Sequence, residues 1–468
     1  MSRPLRTSER RLALLVGDGL AVTVAVLLAL WTWSLTAGFP FGPTFLRARA
    51  VWLLAIPLWL TLLVPTRDAG IALDLERTVG GVARAAGALL LVYLAAFFYT
   101  GGANLPRLVA LYILWDATLL LFGWRLVALW SLTRAPFSRR VLVAGAGPAL
   151  LTAFDVLRDP SFRDAQIVGV ATAAAPRNEF HAGTGWKVPI VGRPDEVDEL
   201  TGRLNVTDLV VALEGRGDEV DEHWVQRLIR CQESGTHVVR MAQLYEDTLR
   251  RVPVAHVEPS WLLTNFFDVS PFREASPLAK RLFDVWVATL LGAVGLILLP
   301  FIAVAILLEA GRPVFYRQPR LGRSGRLFSM IKFRTMKNDA EPDGQPQWST
   351  PGDPRVTRIG RLLRRTRLDE LPNLLAVLRG EMSMVGPRPE RPQIVERLER
   401  EVPLYRARLV VAPGLTGWAQ VNWAYGDSVE DAVTKLEYDL YYIKHQSIWF
   451  DAAILLRTVG TMLWLRGR

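Results

Sequence analysis

Residues 285–308 read VWVATLLGAVGLILLPFIAVAILL, without one charged side chain. Such a run is long enough to cross the roughly 30 Å of bilayer hydrocarbon. Pro300 stands inside it, where proline removes a helical hydrogen bond and kinks the axis. Lys280, Arg281 and Asp284 come just before, and a dense basic set follows: Arg312, Arg317, Arg320, Arg323, Arg326, Lys332, Arg334 and Lys337. Two topologies fit. A kinked crossing puts everything after residue 308 on the far side of the membrane. A re-entrant helix–break–helix enters and leaves on one face. Charge does not decide, because long domains cross despite their Lys and Arg. The break has its own cost, since unpaired backbone groups are expensive in hydrocarbon. Hydropathy leaves both open, and the layout of the chain turns on the choice.

Upstream, four apolar segments crowd the first third, at 12–35, 49–65, 79–100 and 107–132. Each reaches or nearly reaches the length of a crossing. The second is short and contains Pro57. The fourth carries Asp116 and Arg125, which predicts that it faces other helices rather than lipid. A cleaved signal peptide does not fit a first segment this long with further spans behind it. Arg3, Arg6, Arg10 and Arg11 precede the first segment, and Arg134, Arg139 and Arg140 follow the fourth. That bias predicts four crossings with both ends cytoplasmic, although Arg47 and Arg49 fall on the expected outer loop.

From Arg139 the texture becomes soluble α/β. RRVLVAGAGPALLTAFDVL (139–157) reads as strand, glycine turn and helix, with further strands expected at 167–170, 207–213 and 236–241. Gly145 and Gly147 begin a dinucleotide-type turn, but Leu150 occupies the third glycine position. Val170 is followed by Ala-Thr-Ala-Ala, so the ribose-binding carboxylate is missing too. A Rossmann-like scaffold without a cofactor fits better than a live nucleotide site. Residues around 250–275 read as an irregular connector.

Downstream, residues 328–336 alternate, with Ile331, Phe333 and Thr335 on one face and Met330, Lys332 and Arg334 on the other. This predicts a strand with two cations side by side, or simply a solvated strand face. RVTRIGRLLRRTRLDELPNLLAVLRGEMSMVGPRPERP (355–392) follows. Ile359, Leu362 and Leu363 make an apolar stripe amid Arg355, Arg358, Arg361, Arg364, Arg365 and Arg367. Such a helix suits an anionic membrane surface, or grips phosphate through paired guanidinium donors. Asp369 and Glu370 stand before Pro372, which fits the first position of a new helix. Leu371, Leu374, Leu375 and Leu378 give that helix a buried stripe, and Gly380 ends it. Both the helix N-terminus and the neighbouring cations favour ionised carboxylates. An ionised aspartate can attack phosphorus, and a neighbouring glutamate can hold a divalent metal or handle a proton. Plain helix capping explains the pair equally well. Pro387-Arg388-Pro389 presents one guanidinium on a rigid turn. Trp418 and Trp423 suit stacking, the membrane interface or a packed turn. The final stretch from Ser447 reads as a surface-lying helix, because Asp451 and Arg457 interrupt it.

Composition narrows the classes. The chain has 468 residues, 51% hydrophobic and 21% charged, with 16 Trp and 19 Phe, which excludes disorder. Lys plus Arg number 55 against 45 acids, a net +10 that points to anionic partners. Cys231 is the one cysteine, so no disulfide framework and no cysteine metal site exist. The five His are scattered, and only His445 lies after residue 280. No P-loop and no Asp-x-Asp occurs.

Taken together, the motifs resemble the bacterial polyprenyl-phosphate sugar-1-phosphate transferases, the large phosphoglycosyl transferases. The resemblance covers nearly the whole chain. Its specific parts are Lys280-Arg281-Leu-Phe-Asp284, Lys332-Phe-Arg334-Thr-Met, Arg367-Leu-Asp369-Glu370-Leu-Pro372 and Met384-Val-Gly-Pro387-Arg388-Pro389. It implies a multi-domain membrane protein: four transmembrane helices over 1–135, a Rossmann-like α/β domain over 136–250, a connector over 251–278 and an α-rich catalytic domain over 279–468. It also implies a re-entrant helix at about 282–308, with the active site at the cytoplasmic face of the inner membrane. Leu299-Pro300 departs from the Ser-Pro that smaller relatives can show. Implied too are Asp369 as the nucleophile on a UDP-sugar, Mg²⁺ near Asp369 and Glu370, transfer to undecaprenyl phosphate, and a homodimer without nucleic acid. The substrate-binding set would be Lys280, Arg281, Lys332, Arg334, Arg367, Pro387, Arg388 and Pro389, with Arg388 on the nucleotide and Lys332 and Arg334 on phosphate. A membrane nucleotide-sugar dehydratase or epimerase would need an intact dinucleotide loop and a Tyr-x-x-x-Lys pair, and neither is present. A non-enzymatic polysaccharide-export scaffold would leave Asp369 and Glu370 as a mere cap.

Overall fold

Predominantly apolar runs take up helix among the described part of the first 132 residues, even across buried charges such as Asp18 and Arg125. The computed structural model describes residues 7–67, 75–100, 107–132, 138–173, 179–182, 186–212, 222–257, 277–337, 353–423 and 428–463. The first, third and fourth apolar segments are the helices Thr7–Ala37, Leu75–Thr100 and Arg107–Leu132. Each holds a stretch long and apolar enough to cross a membrane. The second is a string of short pieces, Pro43–Ala48, Ala50–Leu54, Ala55–Leu62 and Val64–Arg67, each shorter than a crossing. Arg49 makes the first break, with φ −116° and ψ 18°, and its guanidinium lies 5.2 Å from the Trp33 ring centroid. Of the orientation signals, Arg3, Arg6 and Arg134 lie outside the described residues.

Val22, Val26, Ala29, Leu30 and Trp33 recur at helical spacing and pack against Trp59, Leu63, Ile113, Ala117 and Leu121. Beside this core lies a buried ion pair, Arg125 Nη2 to Asp18 Oδ2 at 2.8 Å. Arg125 also donates to the carbonyl and the hydroxyl of Thr66, each at 3.0 Å. Arg125 thus points inward, as expected, because a lone guanidinium facing lipid is costly.

The soluble part of this first unit is a six-stranded sheet in the order β3-β4-β2-β1-β5-β6. Its strands are β1 Arg139–Gly145, β2 Ala165–Ala171, β3 Glu179–Ala182, β4 Trp186–Gly192, β5 Asp208–Ala212 and β6 His237–Arg240. All pairs are parallel except β3 with β4. The strands expected from sequence are β1, β2, β5 and β6. The β3–β4 hairpin was not legible, because Pro189 breaks its β signature; Pro189 pairs with Glu179 of β3, and the pairing of β4 with β2 begins only at Ile190. The turn after β1 needs its glycine. Gly145 has φ +155°, and a Cβ there would sit 1.9 Å from the Ala212 carbonyl oxygen. Arg10, in the first turn of the first helix, and Arg139 both donate to the buried Asp164.

Compact units divide between Leu249 and Arg250. In the second unit the uncharged stretch is one helix, Pro277–Ala310, with Pro300 inside it. At 1.5 Å per residue it is about 51 Å long. Lys280, Asp284 and Ala288 face inward in its first half, and Ile302 and Ile306 in its second. Trp286, Leu290, Leu296, Ile297, Phe301 and Leu308 face outward. Behind it stand the antiparallel hairpin β7 Phe315–Leu321 and β8 Leu327–Phe333, and the parallel pair β9 Ser383–Val385 and β10 Gly414–Thr416. The helices Pro392–Glu401, Val429–Lys444 and Ile448–Leu463 close the core. The last carries Asp451 and Ile454 inward and Trp449, Leu456 and Val459 outward. Trp418 is a core residue, 4.9 Å from the Phe450 ring centroid, so the packed-turn reading holds for it. Most of the expected connector, residues 258–276, lies outside the described residues.

Candidate active site

The acidic pair is pressed into the protein by its leucine neighbours. Leu368 and Leu371 pack against Ile302, Ile306, Phe333 and Leu363, which draws the segment under the Pro277–Ala310 helix. The helix Arg358–Arg365 ends just before it, and Arg367 turns the chain with a left-handed φ of 56°. A 3₁₀ helix, Leu368–Asn373, follows, then a short α-helix, Leu374–Arg379, which Gly380 ends with φ 84°. Pro372 therefore lies inside the 3₁₀ helix rather than opening a new one. The tighter turn also shifts the buried face. Leu374, Ala376 and Val377 are buried, whereas Leu375 and Leu378 of the expected stripe are exposed.

Asp369 and Glu370 are 8% and 7% exposed. Glu370 Oε1 accepts from Lys332 Nζ at 2.6 Å and from Arg388 Nη2 at 2.9 Å. Lys332 arrives from β8, whose Ile331 N–H donates to Asn373 Oδ1 at 2.9 Å. That bond ties the strand to the segment carrying both acids. Burial alone would raise the Glu370 carboxyl, but Arg388 and Lys332 hold it well below the usual carboxylate range. Asp369 differs. It has no hydrogen-bond partner among the described residues, so the capping explanation lacks its bond. Burial first, then the charge on Glu370, push its carboxyl up to about 6, against the pull of Lys332, Arg364 and Arg388. The sequence expectation of two favoured carboxylates is corrected for Asp369: desolvation and a like charge outweigh the surrounding cations there.

The other expected site residues are engaged elsewhere. Lys280 Nζ donates to Asp284 Oδ1 at 2.9 Å and Ser383 Oγ at 2.6 Å, and lies 2.8 Å from Asp451 Oδ2. Arg281 donates to the carbonyls of Val377 and Leu378, at the end of the short helix. Arg334 does not stand beside Lys332 toward an anion. It is buried, and its guanidinium caps the long helix through the carbonyls of Ala310, Gly311 and Arg312. Pro387 and Pro389 offer their carbonyls to Gly414 N–H and Arg320. Arg364 and Asn373 belong to the site, and sequence reasoning did not single them out. Arg364 donates to Thr335 Oγ1 at 2.9 Å and influences Asp369. Helical spacing could not say which arginine of that helix faces inward.

One glycine seats this arginine helix. A Cβ on Gly360 would meet the Thr335 carbonyl oxygen at 2.1 Å. Gly360→Ala is expected to lower stability by about 1–3 kcal/mol through overpacking. Thermal unfolding in detergent checks it, and an unchanged midpoint contradicts the close approach.

Among the described residues no group of three or more His, Cys, Asp or Glu side chains forms. Two adjacent carboxylates still fit Mg²⁺, which is commonly held by one or two carboxylates with water and substrate phosphate oxygens. The Asp369 carboxylate is left for such a role.

Residues 275–465 match the model of the bacterial sugar transferase family. The chain is 33% identical over 357 residues to the UDP-N-acetylgalactosamine-undecaprenyl-phosphate N-acetylgalactosaminephosphotransferase of Aeromonas hydrophila, covering 73% of this chain and 78% of that one. It is 34% identical over 316 residues to the undecaprenyl-phosphate glucose phosphotransferase of Komagataeibacter xylinus, covering 60% and 59%. It is 44% identical over 195 residues to the UDP-glucose:undecaprenyl-phosphate glucose-1-phosphate transferase of Caulobacter vibrioides, covering 41% and 72%. The chain belongs to the bacterial sugar transferase family. It is an enzyme of the sugar-1-phosphate transferase class, as the resemblance of its motifs implied.

Proposed function

We propose that this protein transfers a sugar 1-phosphate from a UDP-sugar to undecaprenyl phosphate. The products are UMP and a polyprenyl-diphospho-sugar, in the first membrane step of exopolysaccharide, capsule or O-antigen synthesis. The observation that carries the reading is the division of labour in the acidic pair. Glu370 is neutralised by Lys332 and Arg388, while the adjoining Asp369 carboxylate is buried without a hydrogen-bond partner among the described residues. A carboxylate so placed is a nucleophile rather than a strut. An oxygen of Asp369 attacks the β-phosphorus of the donor, and the bond from that phosphorus to the oxygen of UMP breaks. The acyl phosphosugar then meets an oxygen of undecaprenyl phosphate, and the carboxylate leaves. Lys332, Arg364 and Arg388 offset the charge of phosphates gathering beside a carboxylate. Asp369 and Glu370 would hold Mg²⁺, which supplies further charge neutralisation when bound.

We read the helix Pro277–Ala310 as re-entrant, at the cytoplasmic face of the inner membrane. Support comes from its ends, which hold to one body. Near its start, Lys280 donates to Ser383 and Asp284 accepts from Met384 N–H. At its end, Glu309 accepts from the N–H groups of Arg358 and Ile359, and Arg334 grips its last carbonyls. Both sets of bonds suit a helix that enters and leaves on one face. A homodimer completes the reading, on the family resemblance alone.

Cysteine placed at exposed Arg400 tests the topology, since native Cys231 is buried. Arg400→Cys is expected to resist an impermeant thiol reagent in intact cells and to react once the membrane is opened. Labelling in intact cells would overturn the orientation. A panel of UDP-sugars with undecaprenyl phosphate, Mg²⁺ and detergent, read by UMP release, tests the activity. No release from any donor would count against it. The names of the relatives put UDP-N-acetylgalactosamine and UDP-glucose first in that panel.

A further inference from the structure

The turn that presents Arg388 is held through three successive carbonyls. That of Pro387 accepts from Gly414 N–H at 2.8 Å, that of Arg388 from Arg408 Nη2 at 3.1 Å, and that of Pro389 from Arg320 Nη1 at 3.1 Å. The middle donor is the most deeply buried of the two guanidiniums. Arg408 is 5% exposed and lies in the 3₁₀ turn Tyr405–Val410. Its Nη2 also donates to Asp439 Oδ2 at 2.7 Å, and its Nη1 donates to the Tyr405 hydroxyl at 2.6 Å. Asp439, on the helix Val429–Lys444, is 1% exposed. Glu390 Oε1 stands 4.0 Å from Arg408 Nη1.

A buried ion pair is a poor device for stability alone, because apolar residues of similar volume commonly do as well. What a guanidinium adds is direction: a planar fork bonds three fixed acceptors at once. Here those acceptors are a helix carboxylate, a phenol and the backbone of the arginine that reaches Glu370. The contacts form one line, from Asp439 to Arg408, to the Arg388 carbonyl, and through the Arg388 guanidinium to Glu370 beside Lys332.

We infer that Arg408, anchored by Asp439, is a positioning residue for phosphosugar transfer: it sets where Arg388 meets Glu370 and so holds the charge balance beside Asp369. Arg408 acts only through Arg388. The inference rests on the reading of Asp369 and its neighbours as the transfer site. It goes beyond that reading by naming a buried pair outside the acidic cluster.

A double-mutant cycle on the full-length enzyme tests it. The four proteins are wild type, Arg408→Lys, Arg388→Ala and the double variant. UDP-N-acetylgalactosamine and UDP-glucose are the probes, with Mg²⁺ and undecaprenyl phosphate. Single-turnover formation of the phosphosugar adduct, read by intact mass per folded enzyme, extends to slow variants. Arg408→Lys is expected to slow the reaction by about tenfold to a hundredfold, the scale of a small misplacement of a reacting group. In the Arg388→Ala background the same change is expected to cost nothing further, and Asp439→Asn should repeat the pattern. A residue that only holds the fold would lower the unfolding temperature and carry its full loss into both backgrounds. Equal losses in both, or no loss in either, overturn the inference. Steady-state UMP release from the same four proteins shows the same coupling if no covalent adduct forms, so failure of the nucleophile assignment is distinguished from failure of the Arg408 role.

Discussion

Asp369→Asn is expected to slow turnover by about a thousandfold or more, the scale on which removal of a nucleophile acts. It should also erase the phosphosugar adduct from the intact-mass spectrum. The substitution keeps the shape of the side chain and removes its charge and its ability to form the bond to phosphorus. The fold should not suffer. Asp369 has no hydrogen-bond partner to lose among the described residues, and burial and Glu370 already disfavour its charge, pushing the carboxyl up to about 6. The unfolding temperature in detergent should therefore stay level or rise. Glu370→Gln is expected to behave in the opposite sense. Lys332 and Arg388 both lean on the buried Glu370, so its loss leaves two half-buried cations facing one another. Breaking a fully buried pair costs about 3–5 kcal/mol, and the partial exposure of these cations makes the loss smaller, about 1–3 kcal/mol. Normal turnover in Asp369→Asn would sink the nucleophile assignment, whatever Glu370→Gln shows.

Lys280→Met should unfold the protein more readily, by about 3–5 kcal/mol. Lys280 has a side chain 11% exposed and is shared by Asp284 and Asp451, whose side chains are 5% and 0% exposed. The Tyr442 hydroxyl lies 2.8 Å from Asp451 Oδ1 and 2.9 Å from the Val385 carbonyl, two acceptors that share its single proton. Removing the lysine leaves two buried carboxylates without their cation, at the junction of the membrane helix, β9 and the last helix. If Lys280 instead bound substrate, the variant would keep its unfolding temperature and show only a raised donor KM. Thermal unfolding and donor titration on one preparation separate the two outcomes.

Some of this site was legible before folding. Asp369, Glu370, Lys332 and Arg388 stand out as charges next to prolines, glycines and leucines that constrain them, and the structure does bring those four together. Lys280, Arg281 and Arg334 carry the same charge and sit in equally distinctive stretches, yet they meet helix ends and buried acids. A basic side chain beside an apolar run reads alike whether its partner is a phosphate or a carbonyl. The β3–β4 hairpin and the phase of the helix after Pro372 escaped for a related reason, because an edge strand and a 3₁₀ turn leave weak periodic signals.

The sequence by itself determined what depends on neighbours along the chain. It set the apolar lengths that suit a bilayer, the glycine turn after β1, the basic helix, and the acidic pair with its guanidinium turn. Tertiary structure alone decided which cations serve the acids and which hold the frame. Lys332 is 38 residues from Glu370 and Arg408 is 31 from Asp439. Such partners are chosen by packing, because a charge withdrawn from water must find its counter-charge wherever the folded chain places one.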